Sequence, residues 1–271
     1  RREDGYHEVR MVMQTIHLFD RLEISRNDSG QITMETNLSF LPTNENNLVY
    51  KAAKLLQDEF AIKDGVHVWL HKYIPVAAGM AGGSTDAAAV LYGMNRIFEL
   101  GLTKEQLMER GVKIGADVPY CIMRGTALAE GIGEKLTKLP PMVKCPVLIA
   151  KPQISVSTKF VYENLKLNEN TTHPDIDRLV ADISEGDLTK IAADMGNVLE
   201  TVTIPEYPVI AEIKENMMQN GAVNAMMSGS GPTVFGLFAD ESTAVKAYEA
   251  MKRSNLAKQV YLTSIYNNVR K

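Results

Sequence analysis

Residues 72–89 read KYIPVAAGMAGGSTDAAA, and they interrupt an otherwise regular alternation of strand and helix patterns. A strand is expected to end at Ile74-Pro75, a loop of small residues follows, and an alanine-rich helix is expected from about Ser84. Gly79, Gly82 and Gly83 allow a sharp turn and a close approach of backbone to ligand. A helix start presents N–H groups without partners and the positive end of its dipole, which together favour a phosphate. Ser84 and Thr85 add hydroxyls that either cap the helix or reach that phosphate. No lysine follows the glycines in the Walker arrangement, and their spacing is not that of the dinucleotide fingerprint. Taken alone, the stretch is equally a structural loop with a serine cap. The rest of the chain has to decide.

At 271 residues the chain suits one large domain or two moderate ones. Its 45% hydrophobic and 23% charged content is that of a globular protein with a real core. A net charge of −4 argues against a general nucleic-acid or membrane surface, while leaving room for a local basic pocket. Cys121 and Cys145 form no CxxC pair and read as small buried residues in a reducing compartment. His67 and His71 alternate with Val66, Val68 and Leu70, the pattern of a strand. At about 3.3 Å per residue they stand roughly 13 Å apart on one face, too far to share a metal. No apolar run approaches the roughly 20 residues needed to cross a bilayer, and a cytoplasmic location is expected. The chain opens at Arg1 with charged residues leading directly into a strand pattern, so preceding residues are expected to be missing.

In order, residues 7–24 alternate as strands with a bend at Phe19-Asp20, and residues 31–36 form another short strand. Leu48, Ala52, Leu55, Leu56 and Phe60 mark a helix, and residues 66–72 a strand that leads into the quoted loop. The helix from about Ser84 to Leu100 is amphipathic. Thr103 and Gln106 make a capping box for the next, which is expected to run to about Ile114. Residues 115–119, GADVP, break the pattern before an apolar run at 120–123. Strands are expected at 125–130 and 147–150, and a domain boundary at Lys151-Pro152. Beyond it, helices are expected near 157, 175–183, 187–199 and after Pro205. Strands at 222–227, 233–239 and 260–265 and a helix at 241–253 complete an α+β half.

Four polar segments interrupt apolar elements: DGYH at 4–7, the loop at 79–85, GADVP, and SGSGPT at 228–233. Singly, each is satisfied by a turn or by a carboxylate bonding nearby backbone amides. Together and in this order, along the whole chain, they resemble the GHMP small-molecule kinases, and within them the 4-diphosphocytidyl-2-C-methyl-D-erythritol kinase family. The Gly loop carries the likeness to the superfamily, and DGYH and GADVP narrow it.

The resemblance implies a two-domain α+β GHMP kinase fold. Residues 1–150 would form a ribosomal-protein-like ATP-binding half lacking its first strand, and residues 151–271 a ferredoxin-like half. It implies transfer of the ATP γ-phosphate to the 2-hydroxyl of the methylerythritol unit, with Mg²⁺ expected alongside ATP and no metal ligand identified. Gly79, Met80, Ala81, Gly82, Gly83, Ser84 and Thr85 would wrap the phosphates, with Pro75, Val76, Ala77 and Ala78 leading in. Asn47, Leu48, Lys72 and Val76 match the adenosine side. Asp117 matches the catalytic base. Tyr6 and His7 match the cytidine-binding turn, His7 bonding the base edge and Tyr162 completing a sandwich with Tyr6. Thr158 and the turn with Gly229, Ser230 and Gly231 would touch the substrate. The partner is thus a small cytidine diphosphate compound, with no nucleic acid or membrane, in a monomer or homodimer.

This chain departs from the family in two places. Ala77, Ala78 and Ala81 stand where many relatives have glycine, which is tolerable where φ stays negative. The family's AKxN strand, with a lysine that neutralises phosphate charge and an asparagine that holds substrate, is expected to lie before Arg1. On that reading the 271 residues alone turn over slowly. Other readings are a different GHMP kinase, acting on mevalonate, homoserine or a sugar, and a non-catalytic nucleotide-binding module.

Overall fold

The computed structural model describes residues 7–168 and 171–267. Three antiparallel or mixed sheets carry the helices. β1 (Val9–Gln14) pairs antiparallel with β5 (Thr126–Gly131), and β6 (Lys135–Lys138) takes the other edge of β5. A second sheet is built from β2 (Arg21–Asn27), β4 (Gly65–His71) and β3 (Ile32–Thr36), in that order, with β3 parallel to β4.

The alternation in β4 sets the inner face of this sheet. Val66, Val68 and Leu70 are buried, in one core with α1 (Leu48–Glu59) and α2 (Gly82–Ile97). Fully buried Leu56, Leu70, Leu91 and Met94 each contribute about 2 kcal/mol by leaving water. On the opposite face Trp69 stacks on His71, and His67 bonds the Thr33 hydroxyl. Among the described residues no cluster of His, Cys, Asp or Glu could hold a metal ion.

α3 (Lys104–Val112) begins with the expected capping box: Thr103 Oγ1 accepts from the Gln106 amide (3.2 Å) and Gln106 Oε1 from the Thr103 amide (2.9 Å). The apolar run after GADVP forms α4 (Val118–Met123), with Pro119 in its first turn, where a missing N–H costs nothing.

The third sheet has the order β10 (Gln259–Ser264), β7 (Pro146–Lys151), β9 (Val234–Leu237), β8 (Asn224–Met227). β7 lies inside it, so the second half's sheet begins before the expected boundary at Lys151-Pro152. That strand is apolar on both faces, as a central strand requires, and its position in the chain did not reveal its partners. One face packs on α9 (Val209–Gln219) and α10 (Glu241–Ser254), the other on α6 (Ile176–Glu185) and α7 (Leu188–Asp194). The helix expected over 187–199 ends early: α7 stops at Asp194, and a loop containing Gly196 leads to a separate helix, α8 (Glu200–Glu206). In that loop Asn197 Oδ1 accepts from the Leu199 amide at 3.0 Å.

Candidate active site

The loop from β4 to α2 is tighter than its sequence suggests. Ala77 (φ 50°), Gly79 (φ 68°) and Ala81 (φ 51°) all take the left-handed conformation. For an alanine this costs about 1–2 kcal/mol. The expectation of negative φ therefore fails at 77 and 81, because the chain must reverse within a few residues to enter the helix.

α2 starts at Gly82, two residues earlier than expected, with Ala81 as its cap and no side-chain bond to cap it. Ser84 is thus inside the first turn and is not the cap. The first intrahelical bond runs from the Thr85 amide to Ala81 O (2.8 Å), so the amides of Gly82, Gly83 and Ser84 have no acceptor within the helix. The Thr85 hydroxyl is committed, to Ala81 O at 3.0 Å and the Cys121 thiol at 3.3 Å. Open amides at a helix start are the groups that favour an anion.

The residues expected on the adenosine side are largely engaged. Asn47 caps α1, accepting from the Val49 amide (2.9 Å) and donating to Pro42 O (2.9 Å). Leu48 reaches the loop, with Cδ1 3.5 Å from where a Cβ on Gly83 would lie. The backbone N–H and carbonyl of Lys72 are both bonded by the Asn37 amide (2.8 and 3.1 Å). Its ammonium is buried between Asp20 and Asp86, with Asp86 Oδ2 at 2.8 Å. Burial, reinforced by the negative charge of Asp20 and opposed by Lys72, pushes the Asp86 carboxyl up to about 7. Neither aspartate was anticipated from sequence. Asp86 lies within the quoted stretch, and its place four residues after Gly82 was the available signal.

Asp117 precedes α4 and makes no capping bond to that helix. Burial raises its carboxyl above the ordinary carboxylate range. Two residues before Asp117, a Cβ on Gly115 would lie 3.9 Å from Ser84 Oγ. A Cβ on Gly133, in the turn after β5, would lie 3.9 Å from Asp117 Oδ1. Tyr162, on α5 (Thr158–Asn164), is close enough for the Asp117 charge to add to burial in raising its phenol. The His7 ring stacks on Tyr162 with centroids 5.2 Å apart. The resemblance gives His7 the base edge, and here its ring covers Tyr162, whose aromatic face gains from the nearest partner. Tyr6 lies outside the described residues.

The turn at 228–231 closes over the loop. Ser228 Oγ donates to Gly79 O (2.8 Å), and a Cβ on Gly79 would fall 2.2 Å from Ser228 O. Thr158 and Ser230 join hydroxyls at 2.8 Å. Asn197 Nδ2, a residue that sequence reading passed over, holds the turn through Met227 O (2.9 Å) and Gly229 O (2.8 Å).

Comparison with known proteins places this arrangement. Residues 47–125 match the model of the GHMP kinases N terminal domain, and residues 179–258 that of the GHMP kinases C terminal region. A 4-diphosphocytidyl-2-C-methyl-D-erythritol kinase from Lachnospira eligens is 57% identical over 98% of this chain and 92% of its own length. The chain belongs to the 4-diphosphocytidyl-2-C-methyl-D-erythritol kinase family. A crystal structure of a kinase of this family superposes with a TM-score of 0.84 at 28% identity, covering 99% of this chain and 94% of that one. A homoserine kinase from Cytophaga hutchinsonii matches with a TM-score of 0.79 at 19% identity, over 98% of this chain and 96% of its own, which is a likeness of fold. As a member of this kinase family the chain is a phosphotransferase that uses ATP and has an alcohol group as acceptor.

In this kinase the two strained turns and the close contact at Gly79 make opposite demands. Ala81→Gly is expected to raise the unfolding free energy by up to about 1 kcal/mol, by relieving the left-handed alanine. Gly79→Ala is expected to lower it and to raise the KM for ATP, because its Cβ meets backbone that cannot move aside. Denaturant unfolding with ATP titration checks both, and equal stability of the two variants would contradict this account of the loop.

Proposed function

We propose that this kinase transfers the γ-phosphate of ATP to the 2-hydroxyl of 4-diphosphocytidyl-2-C-methyl-D-erythritol, with Asp117 as general base. The observation that carries the reading is one juxtaposition. The amides of Gly82, Gly83 and Ser84 are open at the start of α2, the 228–231 turn bonds the loop that leads into that helix, and the buried Asp117 carboxyl lies near enough to Tyr162 for its charge to act there.

Phosphoryl transfer asks the protein mainly for positioning and charge stabilisation. The amides at the start of α2 hold the ATP phosphates, with Gly79, Met80 and Ala81 wrapping them and Val76 and Leu48 toward the nucleoside. Asp117 takes the proton of the attacking hydroxyl. Its raised pKa makes it a stronger base than an exposed aspartate. Tyr6, His7 and Tyr162 grip the cytosine, His7 moving off the Tyr162 face as the base arrives. Thr158, Gly229, Ser230 and Gly231 border the substrate's polar part.

A protein-built Mg²⁺ cage does not fit the described residues, which bring no three carboxylate, His or Cys ligands together. Mg²⁺ would arrive on the ATP phosphates. Cytoplasmic residence belongs to the same reading, and the buried, unpaired thiols of Cys121 and Cys145 suit a reducing compartment.

Asp117→Asn in the full chain is expected to lower kcat by at least about 10²-fold with ATP affinity nearly unchanged. Steady-state turnover of the cytidine substrate against ATP reads this directly, and unchanged turnover removes Asp117 from the chemistry. In the parent enzyme kcat should fall as pH drops through the raised Asp117 pKa, because the protonated acid cannot accept the hydroxyl proton. An acid limb at or below the ordinary aspartate range would contradict the burial argument. Tyr162→Ala is expected to raise KM for the cytidine substrate roughly tenfold, the worth of one lost base stack, and to leave KM for ATP alone. Were mevalonate or homoserine turned over instead, with no response to Tyr162, the substrate assignment would fall while the kinase fold stood.

A further inference from the structure

Beneath the phosphate loop lies one carboxylate more than the buried cation can neutralise. Lys72 Nζ bonds Asp20 Oδ2 and Asp86 Oδ2, and all three side chains are at most 4% exposed. The group clamps the loop at both ends. Asp20 Oδ1 accepts the amides of Tyr73 (2.5 Å) and Ile74 (2.9 Å), where the loop begins. Asp86 belongs to α2, one helical turn beyond Gly82, where the loop ends. A Cβ on Gly82 would lie 3.2 Å from Lys72 Nζ, so the ammonium sits directly under the open amides. The second oxygen of Asp86, Oδ1, is buried and has no hydrogen-bond partner. The other ionisable group facing Asp86 is Cys121 on α4, whose thiol burial pushes up to about 12 and so keeps neutral.

We propose that Asp20, Lys72 and Asp86 are positioning residues for the ATP phosphates, and that ATP binding draws a proton from solvent onto Asp86. The inference rests on the reading of this loop as the ATP phosphate site. With both aspartates ionised the triad carries one net negative charge, within about a helical turn of where the phosphates bind. Like charges at that separation in a poorly screened site disfavour ionisation of the group more easily neutralised. Asp20 accepts from two backbone amides and the ammonium, which occupy both its oxygens. Asp86 has only the ammonium and an unpartnered oxygen, so the proton goes there. Protonation leaves a neutral triad that still supports the loop and no longer opposes the dipole of α2. Because the phosphates raise the proton affinity of Asp86, ATP binds best below the Asp86 pKa of the free enzyme and more weakly as pH rises through it.

The test is calorimetric titration of the full chain with a non-hydrolysable ATP analogue at about pH 8, in two buffers of unlike ionisation enthalpy. The wild type is expected to take up a substantial fraction of a proton per nucleotide, and Asp86→Asn to take up markedly less. KM for ATP should rise roughly three- to tenfold from about pH 6 to pH 9 in the wild type, since one pKa unit of linkage is tenfold, and stay flat in Asp86→Asn. Asp20→Asn, which keeps the bonds to Tyr73 and Ile74 and removes the competing charge, should move that rise to lower pH. A triad with a merely structural part would lower stability in these variants and leave the proton count and the pH profile in place. No proton uptake by the wild type, or equal uptake by Asp86→Asn, overturns the proposal, and the wild-type measurement stands even if a variant fails to fold. ATP binding without this linkage defeats the proposal alone, whereas no ATP binding at all would also defeat the reading of the loop.

Discussion

A helix cannot satisfy the amides of its own first turn, and in this chain α2 leaves them without a side-chain cap. Much of the surrounding structure follows from keeping them open. A serine at the cap position would have covered one of them, and the chain instead enters the helix through a left-handed alanine with nothing to offer. The Thr85 hydroxyl, which might have competed, is turned back onto Ala81 O and Cys121. Holding the loop in this shape stores strain at Ala77 and Ala81, and the contact of Gly79 with the 228–231 turn sets it against the second half of the chain. Strain retained at such a place is characteristic of sites whose shape matters more than their stability.

The electrostatics follow the same logic. A buried ion pair seldom stabilises a fold by more than its desolvation costs, and a buried triad with surplus negative charge does worse. The Asp20–Lys72–Asp86 group is therefore poorly explained as a source of stability and well explained as a support that fixes the loop and the helix start together. Asp117, just before α4, is also buried, and its carboxyl is desolvated. The two aspartates differ in what surrounds them: an ammonium and a second carboxylate at Asp86, and burial alone at Asp117.

Much of the fold was legible because it depends on local periodicity. The alternation at 65–71, the stripe on α1 and the capping box at Thr103 each encode an element through neighbours within a few residues. Legibility ended where the deciding contact was remote. The run at 146–151 is apolar on both faces, and nothing in it says that β9 and β10 will flank it. Residues 187–199 carry a continuous helical pattern, yet α7 stops at Asp194 and Asn197 reaches across to the turn at 227–229. The family resemblance sets Lys72 on the adenosine side, and nothing local shows that Asp20, fifty-two residues earlier, engages its ammonium.

By itself the sequence determined most of the element types, the presence of a glycine-rich loop ahead of a helix and, through the order of four short segments, the kinase family. These rest on spacing along the chain, which folding does not alter. Only the tertiary structure decided which atoms of that loop remain free, because their competitors come from Asp20 ahead of β2, Cys121 on α4 and Ser228 in the second half. It alone set Gly79 beneath Ser228, 149 residues away, and brought Tyr162 within reach of the Asp117 charge. A motif names the groups available for binding phosphate. Whether each is left open or already spent is settled by the packing of residues that no local pattern connects.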